Sequence, residues 1–471
     1  MTREPPRELS ADFATPAPAS SSNGWTRLRR WWVVFRAHRA IRALESSRAT
    51  RDVAPRVLFT ASFVAYFSVG WALERRGAFA GNNLLFQADC VRAISDMLAG
   101  PSETPSNVIA LGHPLLAILV NPFAVAIHLV LGEPGDLPVR LLCNGAAALA
   151  AMLSYRVFCE LGAPRRLAGA AATVYALSSS ELVFGSMPET FGFVPLALTA
   201  SVFVALRSVR PFENALVQIT AFGLNTALAP HSAFCAPVLW FPRLERWRWV
   251  RTTGAFLVAL AAVTVVLAKL QELLYPGVGY FFQKHGIEAY SRWASMPVTR
   301  AALLERGAEL TAHFFVFSVV APIPLLTSDG MTTFMAVQTK TLAHYDVLGG
   351  AVAVGWCLAA LVATVSNVYS FVTGDTTVRA RLVFFAGWMF GTFGLFGYFG
   401  DDLHLYSTLW TFHWVAWIVM GLTPLVRRIR GGEGRARWLD VALLTFVGLF
   451  ALNEAVFVHR MIEQHGSAGT S

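Results

Sequence analysis

Apolar runs separated by short polar segments recur along the chain from Val57 to Phe457. The runs are about 17 to 25 residues long, which is enough to cross a hydrocarbon core about 30 Å thick. Because no water reaches the backbone inside lipid, such runs must satisfy their own amides as helices. The pattern therefore predicts an all-α polytopic membrane protein.

Basic residues between the runs predict the orientation, since Arg and Lys favour the cytoplasmic side. Nine Arg in residues 25–56 place the N-terminus inside. Alternation of inner and outer segments from there gives about eleven transmembrane helices, within a range of ten to thirteen. Residues 309–327 contain Pro322 and Pro324 and are counted as non-spanning. The predicted spans are 57–73, 139–159, 167–179, 190–206, 215–229, 232–241, 250–275, 351–369, 382–399, 407–425 and 439–458.

The segments outside these spans differ in composition. Residues 1–24 are rich in Pro, Ser, Ala and Thr and predict a disordered cytoplasmic tail. Residues 25–56 combine Arg with Trp and predict an amphipathic helix on the cytoplasmic headgroups. Residues 57–458 form the membrane domain, with a large first outer loop (74–138) and a second at 276–346. In the first loop, residues 108–131 are expected to lie along the outer interface as juxtamembrane helices, or to dip into the membrane and return. Residues 459–471 are expected as an outer tail.

Composition agrees with this organisation. The chain is 55% hydrophobic and 14% charged, whereas soluble domains carry about 25% charged residues. The net charge of +9 arises from Arg at span ends, so we do not expect nucleic acid as a partner. The five Cys form no CxxC pair, which argues against a disulfide framework or a zinc site. Thirty-five of the 38 basic residues are Arg, which suggests a GC-rich bacterium and its cell membrane.

Short motifs follow one another in a specific order in the first half of the chain. They are Asp89, His113-Pro114-Leu115, Leu131-Gly132, Arg140, Tyr155-Arg156, an inner loop at 161–166, Ala176-Leu177-Ser178 and Pro188-Glu189-Thr190. This order resembles the GT-C superfamily of integral-membrane glycosyltransferases, which includes protein O-mannosyltransferases and aminoarabinose transferases. The resemblance covers roughly residues 57–245. Many members carry an acidic or aromatic residue after the Asp and two Pro after the His, where this chain has Cys90 and a single Pro.

The resemblance implies transfer of a sugar, with inversion, from a polyprenyl-phosphate donor to a hydroxyl of a glycan, lipid or protein acceptor. The reaction would take place on the outer face, in contact with membrane lipids. It needs a base for the acceptor proton and cationic or hydrogen-bonding groups for the departing phosphate. Asp89 is the candidate base. The alternative is a solvated loop carboxylate or a helix N-cap.

Five further residues are candidates for binding donor or acceptor: Arg92, His113, Glu189, His231 and His404. Arg92 could orient Asp89 through an i,i+3 pair, or anchor the helix at the interface. His113 could donate to acceptor or phosphate, or could be an exposed helix-start residue. Glu189 opens a span, where the helix dipole favours an acid in any case.

His231 follows Pro230 in a predicted broken hairpin, and broken helices at membrane depth are tolerated mainly where they line a cavity. It could bind the donor phosphate or make an interhelical hydrogen bond. His404 shares the loop 400–406 with Asp401 and Asp402, which are candidates for binding a sugar or a divalent metal. Adjacent acids point different ways, so a metal would need further ligands, and a solvated turn is the alternative.

Two other functions remain open on the sequence alone, a transporter or flippase and an inactive scaffold on the same fold. A transporter is expected to bury charges near mid-span and often has two related halves. The apolar runs carry few charges, and no internal repeat is evident. No phosphate-gripping glycine loop, Ser-His-Asp order or HExxH motif appears, so nucleotide-driven and protease functions lack support.

Overall fold

The computed structural model describes residues 52–81, 84–86, 88–100, 112–132, 135–276, 278, 299–328, 333–336, 345–398, 403–430 and 433–468. These ranges leave out the predicted N-terminal tail, residues 25–51 of the basic segment, residues 277, 279–298, 329–332 and 337–344 of the loop 276–346, and Asp401 and Asp402. The chain divides into two units, residues 1–53 and 54–471.

Helices dominate the part of the chain that the structure describes. Those of the first half are α1 (Ala54–Glu74), α2 (Cys90–Leu98), α3 (Leu116–Leu119), α4 (Asn121–Leu131), α5 (Leu137–Glu160), α6 (Arg165–Leu177), α7 (Ser179–Ser186), α8 (Val194–Arg207), α9 (Pro211–Leu224), α10 (Ala229–Trp240) and α11 (Arg246–Leu274). Three 3-10 turns join some of them: Thr190–Phe193, Thr226–Leu228 and Phe241–Arg243.

The second half continues in the same way. Its helices are α12 (Arg300–Ala312), α13 (Val347–Thr373), α14 (Thr376–Tyr398), α15 (Thr411–Arg430) and α16 (Glu433–Ala468). A π-helical turn, His313–Phe317, follows α12, and a 3-10 turn, Leu405–Leu409, precedes α15. One short antiparallel hairpin of β1 (Leu325–Ser328) and β2 (Thr333–Ala336) places Leu325 opposite Ala336.

Seven helical stretches in the described ranges are long and apolar enough to cross a membrane, and an eighth results if α6 and α7 form one span bent by 56° at Ser178. The seven are Ala54–Glu74, Leu137–Glu160, Thr190–Arg207, Arg246–Leu274, Val347–Thr373, Thr376–Gly397 and Arg437–Gln464. The prediction of a helical membrane protein is confirmed. The first helix begins at Ala54, inside the segment that the sequence assigned to the basic helix.

The centre of the bundle is α5. Its small residues, including the run Ala146 to Ala151, are mostly buried and let neighbouring helices approach closely. The Asn144 amide donates to the carbonyl of Gly185 at 2.6 Å, which fixes α7 against α5. By contrast, only Phe256 and Gln271 are buried among the 29 residues of α11, so this helix lies at the periphery.

Residues 313–321, here called the broken segment, are the π-helical turn and the irregular backbone that follows it, and all of them except Phe315 are buried. The sequence predicted residues 309–327 as non-spanning, and no candidate span covers them in the described chain. Groups from elsewhere satisfy the backbone of the broken segment. The contacts are Trp356 Nε1 to Phe315 O at 2.7 Å, Ser179 Oγ to Phe317 O, Ser180 N to Ser318 O at 3.2 Å, Ser179 N to Val319 O at 3.1 Å, Tyr345 OH to Val320 O at 2.6 Å, Asn453 Nδ2 to Ala321 O at 3.1 Å and Ala321 N to Glu454 Oε1 at 2.9 Å.

Candidate functional site

Asp89 lies directly before α2, in a turn fixed by Phe86. Phe86 is fully buried and has a φ of 48°, an uncommon conformation for a bulky side chain. The Asp89 carboxylate makes no capping hydrogen bond to α2. It pairs instead with Arg92, three residues on, and retains 27% of its side-chain exposure. The carboxylate is therefore reachable from solvent and held by a cation, as the i,i+3 spacing predicts.

Glu189 lies beneath Asp89. Its side chain is buried and accepts hydrogen bonds from the backbone N–H of Asp89 at 2.7 Å and of Thr190 at 2.6 Å. The Thr190 hydroxyl lies 2.6 Å from the same carboxylate. Two backbone N–H donors, with the hydroxyl within reach as a third, thus satisfy an acid that would otherwise be costly to bury. Glu189 caps the 3-10 turn that opens the α8 span and also fixes the backbone of Asp89.

His113 extends this network. It is buried, not exposed at a helix start, and its Nδ1 donates to the carbonyl of Leu224. Its Nε2 lies 3.0 Å from the Thr190 hydroxyl. Burial, the largest influence, lowers the pKa of His113 to about 4. At neutral pH the ring is therefore neutral with the proton on Nδ1. The single proton of the Thr190 hydroxyl is then donated either to Nε2 or to Glu189, and not to both at once.

The electrostatics of Asp89 suit a base. Partial burial, the largest influence, raises the pKa of Asp89, the Arg92 guanidinium opposes that rise, and the charge of Glu189 adds to it. A base with a raised pKa binds a proton more tightly than an ordinary Asp does. Arg92 keeps the group ionised, so the pair combines basicity with the charged form that proton abstraction needs.

His404 packs against the underside of the same turn. Its ring lies 5.0 Å from that of Phe86 and 5.7 Å from that of Phe184, and it is fully buried. Tyr406, two residues on, contacts Phe191 at 5.6 Å, next to Thr190. His404 is therefore close to the Asp89 turn but lies in a packed interior, not in a solvated loop.

His231 lies in a different cluster. Its ring contacts Trp388 at 4.8 Å and His413 at 5.3 Å, on α14 and α15. The structure thus brings together Asp89, Arg92, Glu189 and His113, places His404 beside them, and leaves His231 apart.

Several residues that matter to this geometry were not singled out from the sequence. Thr190 links Glu189 to His113, and the Cys143 thiol donates to the carbonyl of Glu189 at 3.6 Å. Thr190 belonged to the Pro-Glu-Thr motif, which was a usable signal. Cys143 lies in an apolar run and gave none.

Arg140 was noted in the sequence only as a mark of the resemblance, but its contacts join two helices near the Asp89 network. It is fully buried and pairs with Glu74 at the end of α1 and with Asp136 before α5, the latter at 3.7 Å. Its guanidinium also lies 5.6 Å from the Trp71 ring. These contacts tie α1 to α5 at the end of the bundle where Asp89 lies.

Two acids lie deep in helices, contrary to the expectation of few buried charges. Glu181 in α7 and Glu454 in α16 are both 1% exposed. Glu454 holds the broken segment, whereas one oxygen of Glu181 has no hydrogen-bond partner among the residues described. The sequence placed Glu181 between the predicted spans 167–179 and 190–206, whereas Glu454 lies inside the predicted span 439–458, where averaging the hydropathy hides a single acid.

No group of three or more His, Cys, Asp or Glu in the described part of the chain is arranged to hold a metal ion. The predicted candidates Asp401 and Asp402 lie outside that part. A comparison with models of known protein families finds no match, and a comparison with curated proteins finds none either.

Proposed function

We propose that the chain is a membrane glycosyltransferase of GT-C type that moves a sugar from a polyprenyl-phosphate donor to an acceptor hydroxyl. The transfer proceeds with inversion, and Asp89 removes the proton of the acceptor hydroxyl. The acceptor is a hydroxyl of a glycan, lipid or protein. The observation that carries the proposal is the half-exposed Asp89–Arg92 pair, which rests on the buried Glu189–Thr190–His113 network.

Each group has a role in this reaction. Asp89 is the general base, and its ionised form is maintained by Arg92, which also offers positive charge to the departing phosphate. Glu189 and Thr190 position Asp89 through its backbone. His113 is buried and neutral, so it serves the network and not the ligand directly. His404 supports the turn through Phe86.

The proposal includes an arrangement in the membrane. The chain crosses the bacterial cell membrane eleven times with its N-terminus in the cytoplasm, and α9, α10 and α15 supply spans in addition to the longer helices. Asp89 then lies on the outer face, where a lipid-linked donor makes a nucleotide-binding domain unnecessary. A divalent metal held with help from Asp401 or Asp402 would assist the departing phosphate.

The test is sugar transfer by the purified chain in nanodiscs. Radiolabelled polyprenyl-phosphate sugars are supplied with a membrane-glycan extract, and label in the glycan fraction is measured for wild type and Asp89→Asn. Loss of a positioned base should lower the initial rate by about 10²- to 10⁴-fold. Equal transfer by both proteins would exclude Asp89 as the base.

Asp346→Asn is the matched control. Asp346 pairs with Arg460 at 3.0 Å, and its side chain is 34% exposed, so it resembles Asp89 in chemistry and in access to solvent. It caps α13 by accepting from Gly349 N at 2.9 Å, which Asn can also do. We expect transfer by Asp346→Asn to match that of wild type. A comparable loss in both variants would indicate a general effect of removing surface charge.

Buried acids favour a second candidate function, transport of a lipid-linked or polar substrate. Ionisable groups within membrane spans commonly mark transport pathways, and Glu181 and Glu454 are such groups. The test is movement of a fluorescent prenyl-phosphate sugar across liposomes that contain the chain. Movement that stops in Glu181→Gln but continues in Asp89→Asn would favour transport over transfer.

A further inference from the structure

Two histidines lie ring against ring inside the bundle, where α10 and α15 begin. The ring centroids of His231 and His413 are 5.3 Å apart, with the planes at 84°. Phe384 and Trp388 of α14 complete the enclosure, at 5.4 Å and 4.8 Å from His231. Both histidines are at most 1% exposed. The surroundings are therefore aromatic and dry, an unusual setting for two imidazoles.

The ring nitrogens of this pair have no protein partner. None of the four makes a hydrogen bond within the described chain, and the hydroxyl of Ser232, the next residue along α10, is also without one. The indole N–H of Trp388 is already used, since it donates to the carbonyl of Leu409 at 2.8 Å. Each buried polar group left without a partner costs free energy. A ligand that carries hydrogen-bonding groups would give these nitrogens the partners that they lack.

The electrostatics indicate an anion. His231 is the third residue of α10 and His413 the third of α15, so both lie where helix dipoles are positive. A metal cation would require more ligands, and no third His, Cys, Asp or Glu in the described part of the chain joins the pair. Helix N-termini with added N–H donors are a common arrangement for binding phosphate.

We propose that His231 and His413 form a binding site for the phosphate group of a ligand that enters between α10, α14 and α15. The aromatic walls suit a phosphate that carries an apolar chain. The contacts of this site come from α10, α14 and α15, whereas the Asp89 network is built from α2, α8 and the segments before them. A polyprenyl-phosphate donor carries such a group, so this inference rests on the proposed function, but its residues are separate from those of the Asp89 network and can be tested separately.

The experiment measures equilibrium binding of radiolabelled farnesyl phosphate to the full chain in nanodiscs. We expect saturable binding that weakens by about tenfold or more in His231→Leu and in His413→Leu, because each variant loses an N–H donor to the phosphate. His459→Leu is the control, since His459 is 70% exposed on α16 and pairs with Glu463. Asp89→Asn should bind as wild type does, which separates this site from the proposed catalytic one.

Competition identifies the source of the phosphate. Displacement by inorganic phosphate would assign the site to free phosphate, and displacement only by farnesyl phosphate would assign it to a phosphorylated lipid. Equal displacement by farnesol would overturn the proposal, because the apolar chain alone would then be recognised. Unchanged binding in both histidine variants would overturn it as well.

A second measurement does not depend on variants that fold. In wild type labelled with ¹⁵N-histidine, phosphate should shift the ring resonances of two buried histidines. Ring resonances that do not respond to either phosphate would show that water alone occupies the site.

Discussion

Replacement of Glu189 tests the network under Asp89 most directly. Glu189→Ala removes the acceptor of two backbone donors, the N–H groups of Asp89 and Thr190, and the carboxylate that lies near the Thr190 hydroxyl. The hydroxyl can still bond to His113 Nε2, which lies 3.0 Å away. Two backbone N–H groups then remain without a partner.

The magnitude follows from those two groups. A buried donor left unsatisfied costs about 1–3 kcal/mol, so Glu189→Ala should lower the free energy of unfolding by about 2–6 kcal/mol. Water that enters beside the partly exposed Asp89 would bring the loss in free energy of unfolding toward the lower end of this range. Glu189→Gln keeps one oxygen acceptor and should lose about half as much. Both variants should also transfer sugar more slowly, because the backbone of Asp89 is no longer fixed.

The assay is equilibrium unfolding in mixed micelles of a mild detergent and sodium dodecyl sulfate. A thiol-reactive dye reports unfolding, since Cys90 and Cys143 are buried and free next to the network. Glu213→Ala is the control, because the Glu213 side chain pairs with Arg210 and is 49% exposed. We expect this variant to change the free energy of unfolding by less than about 0.5 kcal/mol. If Glu189→Ala unfolds at the same detergent fraction as wild type, Glu189 does not stabilise the turn at Asp89.

Three other changes have defined outcomes. Arg92→Gln removes the charge that lowers the pKa of Asp89, so the pH below which transfer is lost should move upward, as a pH–rate profile would show. Gly421→Ala places a Cβ 2.3 Å from a backbone oxygen of α13 and should cost about 1–3 kcal/mol in the same unfolding assay, whereas Gly387→Ala meets nothing within 4 Å and should cost no stability. Tyr345→Phe leaves a carbonyl of the broken segment without its donor and should lower stability by about 1–3 kcal/mol, and an unchanged midpoint would contradict that role.

Local features of the site could be predicted from the sequence. The pairing of Asp89 with Arg92 follows from the geometry of one helical turn. The membrane-spanning helices follow from run length and hydropathy. The resemblance placed Asp89, His113 and Glu189 in one module, in order along the chain, without saying that they touch.

The contacts between distant residues could not be predicted in this way. Asp89 and Glu189 are 100 positions apart, and His113 and Thr190 are 77 apart, so packing of the whole bundle decides whether they meet. His413 was not singled out, because a His in an aromatic run gives no sign of whether it will find a partner.

The broken segment has a consequence for how the protein is made. Both polar groups of the Ala321 peptide are held by Asn453 and Glu454 of α16, more than 130 positions later in the chain. In lipid, each such group left bare costs several kcal/mol. During synthesis the broken segment therefore cannot reach its final packing until α16 is in place. A ribosome-bound chain that lacks α16 has to keep the Ala321 peptide hydrated or bound to a chaperone.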